Sequence, residues 1–217
     1  SNGSFNATAF QADLLNPNRQ LLGSEQMSWL GSKIASSTST WQVLGQQVLM
    51  TKMMLPSELL LLMAQINGEI DALGSAQPAT LQAFQTSVSG LVTIKSRILA
   101  NDPTVTAAEK LRLSTVLPYN LDAWDGYPIE REKLYALLNG KKVVTLAGDT
   151  HNAWQGELKS SSNKVVGIEI ATSSVSSPGL ETYLGIGGTQ LVQFEQALNL
   201  LIDDLEYSNL SKRGYLK

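Results

Sequence analysis

The segment over residues 142–154, KVVTLAGDTHNAW, carries the clearest structural signal in this sequence. Its apolar, β-branched start predicts a buried strand over 142–148. A helix signature stands directly before it, with Pro128 in the first turn and Gly140 just past the last turn. Two more strand candidates follow, NAWQGELK and KVVGIEIATSS. Strands that alternate with helices predict a layered α/β domain.

The same segment carries the strongest candidate for a functional site. Asp149 and His151, the only histidine of the chain, follow Gly148 at the end of the predicted strand. In an extended backbone, alternation points residues 149 and 151 to the same side, where both could reach a metal. Carboxylate and imidazole together suit calcium, manganese, iron or zinc. A hydrogen-bonded structural role for a lone histidine is the alternative.

Composition excludes several classes of function. The 217 residues are 43% hydrophobic and 16% charged, with a net charge of −3, which argues against binding to a nucleic acid scaffold. No cysteine is present, so thiolate metal sites are excluded. The longest apolar stretch, residues 59–64, is too short to span a membrane. The polar start SNGSFNATAFQ lacks the features of a secretory signal, and we expect the chain to be part of something longer.

The middle of the chain differs from its flanks. Residues 57–117 are helical in composition, and we interpret them as a helical insertion or subdomain. Residues 1–56 and 118–217 are then two parts of one α/β domain. Before the block, TWQVLGQQVLM over 40–50 predicts a strand, and a helix is predicted over 26–34. Near the end, TQLVQFEQALNLLIDDLEY fits either a strand or a helix.

Two further polar segments are candidate site elements. In NLDAWDGY, Asp122 or Asp125 could ligate a cation or orient a substrate, and Trp124 could line a pocket. An ordinary turn is the simpler interpretation, because Asn, Asp and Gly dominate turns. In SSVSSPG, the hydroxyls of Ser173, Ser176 and Ser177 could contact a phosphate, or the segment could be a plain polar loop.

Other catalytic motifs have weak support in the sequence. A Ser-His-Asp triad could be written with His151, but no GxSxG elbow occurs, so a serine esterase is the weaker alternative. Gly185–Gly188 lacks the spacing of a dinucleotide-binding loop.

Six segments together resemble the PhoD-like alkaline phosphatase and phosphodiesterase family, within the calcineurin-like metallophosphoesterase superfamily. They occur in the family's order and span nearly the whole chain outside the helical block. These segments are RQLLGSEQMSWL (19–30), TWQVLGQQVLM (40–50), LDAWDGYPIER (121–131), VVTLAGDTHNAW (143–154), SSVSSPG (173–179) and RGY (213–215).

The resemblance implies a four-layer αββα sandwich with metals in loops at the strand ends. GDTH resembles the last group of metal ligands in the superfamily, usually written GHxH. The resemblance makes Asp149 and His151 ligands and Asn152 a candidate catalytic residue beside them. It further implies calcium and iron as cofactors, a phosphate mono- or diester as substrate, and a periplasmic or extracellular parent protein.

One departure from the family pattern affects function. The superfamily's earlier blocks, D-x-H, GD-x-x-D and GNH, supply most metal ligands, and nothing in residues 1–18 resembles them. We therefore expect the C-terminal half of a metal-dependent phosphoesterase, inactive without its N-terminal half. The alternative from another class is a non-catalytic α/β module whose helical block binds a partner protein.

Overall fold

A computed structural model describes residues 6–217 and contains both helices and strands. The helices are α1 (Ala7–Leu14), α2 (Gly23–Ser36), α3 (Ser57–Leu73), α4 (Pro78–Leu99), α5 (Ala107–Ser114), α6 (Pro128–Leu138), α7 (Leu180–Leu184) and α8 (Gly188–Leu201), with a 3-10 turn at Trp124–Gly126. The strands are β1 (Trp41–Gly45), β2 (Met54–Pro56), β3 (Val116–Pro118), β4 (Lys142–Ala147), β5 (Ala153–Lys159), β6 (Val165–Ala171) and β7 (Leu205–Asn209).

Most elements predicted from the sequence are confirmed. The predicted helix after Pro128 is α6, the three strands that follow are β4, β5 and β6, and the block 57–117 is largely helical. The strand predicted over 40–50 is wrong beyond Gly45, because residues 46–53 leave the sheet to enter the core. The ambiguous segment near the end divides into α8 and β7.

Five strands form a mixed sheet in the order β1-β4-β6-β5-β7. β1, β4 and β6 are parallel, whereas β5 is antiparallel to both β6 and β7. β2 and β3 form a separate antiparallel pair. This arrangement confirms the predicted α/β fold class.

The buried face of the sheet carries two hydrophobic clusters, one toward each end of the parallel strands. The carboxyl-side core contains Ala147 and Ala171 together with side chains of α3, α4, α7 and α8. The amino-side core contains Val143 and Val166 together with side chains of α2 and α6. Val143 and Ala147 are separated by an even number of positions on β4, so their side chains point to the same side of the sheet. Both cores therefore lie on one face.

Residues 46–53 lie between the two cores. Val48 and Met50 belong to the amino-side core, whereas Leu49 and Met53 belong to the carboxyl-side core. The segment is held by Glu169, which lies in the middle of β6 and is 1% exposed. A buried irregular segment needs partners for its backbone N–H groups, since leaving them unpaired is costly.

The carboxylate of Glu169 supplies these partners. It accepts hydrogen bonds from the backbone N–H groups of Met50 and Thr51, both at 2.8 Å, and from Nε2 of Gln46 at 3.2 Å. Burial raises the pKa of this carboxyl, and the N–H donors of Thr51 and Met50 act in the opposite direction. Gly156 of β5 lies opposite Glu169 of β6, and a Cβ added at Gly156 would lie 2.6 Å from Cγ2 of Thr51. The glycine therefore makes the space through which the segment passes.

The opposite face of the sheet is open and carries large apolar side chains. Trp41 and Val43 of β1 are 56% and 62% exposed. Leu146, Ile168 and Tyr207, on three other strands, are 39%, 38% and 49% exposed. Parallel strands are normally covered on both faces, so this surface is unusual for a parallel sheet.

The helices of the block 57–117 share a core with the sheet. Leu59, Met63 and Leu91 lie in the same hydrophobic cluster as Ala147 and Ala171. The proposed division into an insertion and two flanking parts stays a prediction.

Among residues 6–217, no helix has the length and apolar character needed to cross a membrane.

We expect Glu169→Gln to lower the free energy of unfolding by about 1–3 kcal/mol, because the new amide would direct a donor at a backbone N–H group. Urea unfolding measures the change. Glu206→Gln, on the exposed surface of β7, is the control and should stay within about 0.5 kcal/mol of the wild type. Equal effects of the two substitutions would contradict the anchoring role of Glu169.

Candidate site at the carboxyl ends of the parallel strands

Three loops begin side by side at one edge of the sheet. They follow β1, β4 and β6 and cover residues 46–53, 148–152 and 172–179. Backbone hydrogen bonds join them where they start: Gly148 N–H donates to the carbonyl of Gln47 at 3.1 Å, and Thr172 N–H donates to that of Ala147 at 3.0 Å. The carboxyl edge of parallel strands is where α/β proteins usually bind ligands.

The loop with Asp149 and His151 is a tight turn and not an extension of β4. The strand ends at Ala147, and the φ angles of Asp149 and His151 are 69° and 61°. The prediction that strand alternation aligns the two side chains is therefore wrong. Left-handed backbone costs about 1–2 kcal/mol for an ordinary residue, although Asp and His tolerate it better than most. Such strain is concentrated at functional sites.

His151 is oriented by a backbone carbonyl. Its Nδ1 lies 2.9 Å from the carbonyl oxygen of Pro178. Because a carbonyl only accepts hydrogen bonds, Nδ1 carries the hydrogen, and in the neutral ring the lone pair is on Nε2. This is the arrangement typical of a metal-bound imidazole. In a serine hydrolase triad, by contrast, a carboxylate occupies this position on the ring.

Asp149 is exposed and faces a cavity of about 570 Å³. The cavity also contains Tyr119, whose pKa is raised to about 12 by burial, with smaller contributions from Tyr183 and Asp149. Within residues 6–217, no cluster of three or more His, Cys, Asp or Glu side chains could hold a metal. The described part of the chain thus offers two candidate ligands at this edge.

Asn152 ties the Asp149 loop to the start of α7. Its side chain is buried, with Oδ1 accepting from the N–H of Leu180 at 2.9 Å and Nδ2 donating to the carbonyl of Thr150 at 2.6 Å. Gly179 fits only without a side chain, because a Cβ would lie 2.5 Å from Oδ1 of Asn152. These contacts position the loop; the catalytic role of Asn152 stays a prediction.

The candidates in NLDAWDGY have structural partners. Asp125 is buried and pairs with Nη1 of Arg131 at 2.6 Å, and it accepts from the N–H of Met53 at 2.8 Å. Trp124 is 1% exposed and donates from Nε1 to Oε1 of Gln46. Asp122 is exposed, in a turn where its N–H donates to Oδ1 of Asn120. None of the three lines the Asp149 cavity, and their functional roles stay predictions.

The serine loop lies beside a different depression. Ser173 is buried and lines an open depression of about 740 Å³ together with Gln47 and Tyr215. Ser176 is exposed, and the carbonyl of Ser177 accepts from Oγ of Ser174. The assignment of these serines to the substrate pocket is untested.

Several site elements gave no signal in the sequence. The partner of His151 is a backbone carbonyl, so the identity of Pro178 carries no information about it. The cavity wall formed by α3 and α7 depends on tertiary packing. The helical spacing of Leu60, Ala64 and Asn67 indicates a shared helix face, but not what that face meets.

The family model for PhoD-like phosphatases matches residues 1–217. The chain therefore belongs to the PhoD-like phosphatase family, which confirms the resemblance found in the sequence.

Two individual proteins are also similar. Alkaline phosphatase D of Bacillus subtilis (strain 168) is 29% identical over 171 residues, a match that covers 76% of this chain and 20% of the relative. A solved structure described as "Structure of PhoD" has a TM-score of 0.51 at 21% identity, covering 94% of this chain and 28% of the other. That likeness supports the fold. The chain thus spans less than a third of either protein.

The left-handed backbone of the loop can be tested by substitution at Asp149. We expect Asp149→Asn to change the free energy of unfolding by less than about 0.5 kcal/mol, because Asn also tolerates this conformation, whereas Asp149→Ala should cost about 1 kcal/mol. Urea unfolding compares the two. Equal stability of the Asn and Ala variants would contradict the conformation given for this loop.

Proposed function

We propose that this chain is the C-terminal half of a metal-dependent phosphoesterase that hydrolyses phosphate mono- or diesters. The observation that carries the proposal is the hydrogen bond from Nδ1 of His151 to the carbonyl of Pro178. This hydrogen bond leaves the lone pair of Nε2 available to a ligand. The exposed carboxylate of Asp149 lies two residues away, at the carboxyl ends of the strands, where α/β proteins usually bind ligands.

The two side chains fit a metal of the kind the family implies. Carboxylate oxygen and neutral imidazole nitrogen suit calcium and iron, and Asp149 is exposed enough to bind an ion. When bound, such metals neutralise phosphate oxygens and activate a water molecule as the nucleophile. In this chain Asp149 and His151 would hold part of the centre, and Pro178 and Asn152 would keep their loop in place.

The open face of the sheet supports a four-layer αββα sandwich. Helices cover one face only, so this chain corresponds to one α and one β layer. Trp41, Val43 and Leu146 lie exposed on the other face, as expected if a second sheet packs against it. We propose that this second sheet belongs to the N-terminal half of the parent protein.

The same reasoning predicts that the 217-residue chain alone is a poor catalyst. A pair of metals needs ligands from several loops, and the described residues offer two at this site. We further propose, from family membership, that the parent protein acts in the periplasm or outside the cell.

Metal binding gives the first test. We expect the chain to bind iron or calcium weakly, and the variant Asp149→Asn with His151→Gln to bind much less of either metal, because neutral amides replace the carboxylate and the imidazole. Metal content after equilibrium dialysis measures it. Asp71→Asn, an exposed acid on α3, is the control and should retain the wild-type metal content. Equal metal content in all three proteins would refute the proposed ligands.

Assembly gives the second test. We expect this chain, with iron and calcium, to hydrolyse 4-nitrophenyl phosphate and its diester poorly. Hydrolysis should become efficient once the N-terminal half of the parent protein, which carries the second sheet, is added. Val43→Lys should change the stability of the chain alone by less than about 0.5 kcal/mol, since the site is exposed. The same substitution should abolish the restored activity by preventing the sheets from packing. Robust turnover by the purified chain alone would contradict the proposal.

The non-catalytic alternative has one specific observation in its favour. A groove of about 690 Å³ lies between α4 and α8 and is lined by Phe84, Val92 and Phe194. A partner-binding module of this kind would show neither metal binding that depends on Asp149 and His151 nor hydrolysis after assembly.

A further inference from the structure

The cavity beside Asp149 is lined by elements from distant parts of the chain. α3 supplies Leu60 and Met63, the segment after β3 supplies Leu121, and α7 supplies Leu180 and Tyr183. The helical block therefore contributes a wall to the cavity next to Asp149. A volume of about 570 Å³ is typical of a pocket for a small molecule.

The floor of this cavity is rigid and its mouth is open. Met63, Leu180 and Leu184 are buried members of the carboxyl-side core, so their positions are set by packing. Leu121 and Tyr183 are 40% and 45% exposed and form the rim. A ligand could therefore enter from solvent and bury an apolar group against a preformed surface.

The Asp149 side of the cavity is polar, and the side formed by α3 and α7 is mostly apolar. Asp149 and Thr150 belong to the Asp149 loop, whereas the cavity residues from α3 and α7 are aliphatic or aromatic except for Asn67. Tyr119 packs edge-to-face on Trp154, with ring centroids 6.4 Å apart, which fixes a further aromatic surface in the cavity. A ligand that matches this arrangement has an apolar body and one polar or charged end.

We propose that this cavity binds the alkyl or aryl group of the alcohol that is esterified to phosphate. The inference rests on the proposed function, because it places the phosphate at the Asp149 loop. It assigns selectivity for the alcohol to α3 and α7, and it favours esters of apolar alcohols over esters of small polar ones such as glycerol. Apolar contact area in such a pocket is what separates one alcohol from another.

The experiment uses the 217-residue chain without metal or phosphate, so that the cavity is tested apart from catalysis. Benzyl alcohol and glycerol are titrated while backbone amide signals are followed by NMR. We expect benzyl alcohol to shift the amides of Leu121, Thr150 and Tyr183, and glycerol to shift none of them.

Two matched variants locate the binding. Ala64 is an exposed residue of α3 that lines the cavity, so Ala64→Trp should fill it and weaken benzyl alcohol binding roughly tenfold or more. Ala83→Trp places the same side chain on an exposed position of α4 and should leave the affinity unchanged. Unfolding curves of both variants verify that they remain folded.

The outcomes separate this inference from the proposed function. If benzyl alcohol fails to shift these amides, or if both variants bind it equally well, the inference is overturned, whatever the metal tests show. If benzyl alcohol binds as expected but metal binding and hydrolysis fail, the cavity is a small-molecule site, and its assignment to a phosphoester alcohol is overturned together with the proposed function.

Discussion

The carboxylate of Glu169 accepts the hydrogen bonds that anchor residues 46–53 between the two hydrophobic cores. It lies in the middle of a buried sheet face and holds the backbone of Met50 and Thr51, 119 and 118 residues away in sequence. Two hydrophobic cores can then form on either side of one irregular segment. A buried acid is costly unless its oxygens are hydrogen-bonded, and here three N–H donors meet that requirement.

The position of the candidate site follows from this arrangement. Residues 46–53 are anchored in the core, and their first residues stay hydrogen-bonded to the end of β4, where Gly148 N–H donates to the carbonyl of Gln47. The Asp149 loop lies beside this segment at the carboxyl ends of the strands, where the carbonyl of Pro178 orients His151 and Asn152 accepts a hydrogen bond from the start of α7. Each of these contacts joins two loops, so the protein itself holds the ring of His151 and the backbone of its loop in place.

Local signals in the sequence succeeded where neighbouring residues determine the structure. Pro128 in the first turn of α6, the apolar run of β4 and the predicted helix within α2 depend on propensity and spacing alone. They failed at residues 46–50, whose β-type composition is overruled by burial between two cores. They also failed at Asp149 and His151, where a tight turn replaces the extended backbone. Family membership was accessible because short motifs occur in a recognisable order.

Composition and motif order were sufficient to predict the α/β class and the family, and they selected Asp149 and His151 as candidate metal ligands. Which polar residues reach the carboxyl ends of the strands depends on tertiary packing. Asp125 and Asp149 are both acids in turn-like segments, yet one is buried against Arg131 and the other is exposed beside a cavity. The difference arises from contacts between residues that are distant in the chain, and such contacts exist only once the two cores have packed.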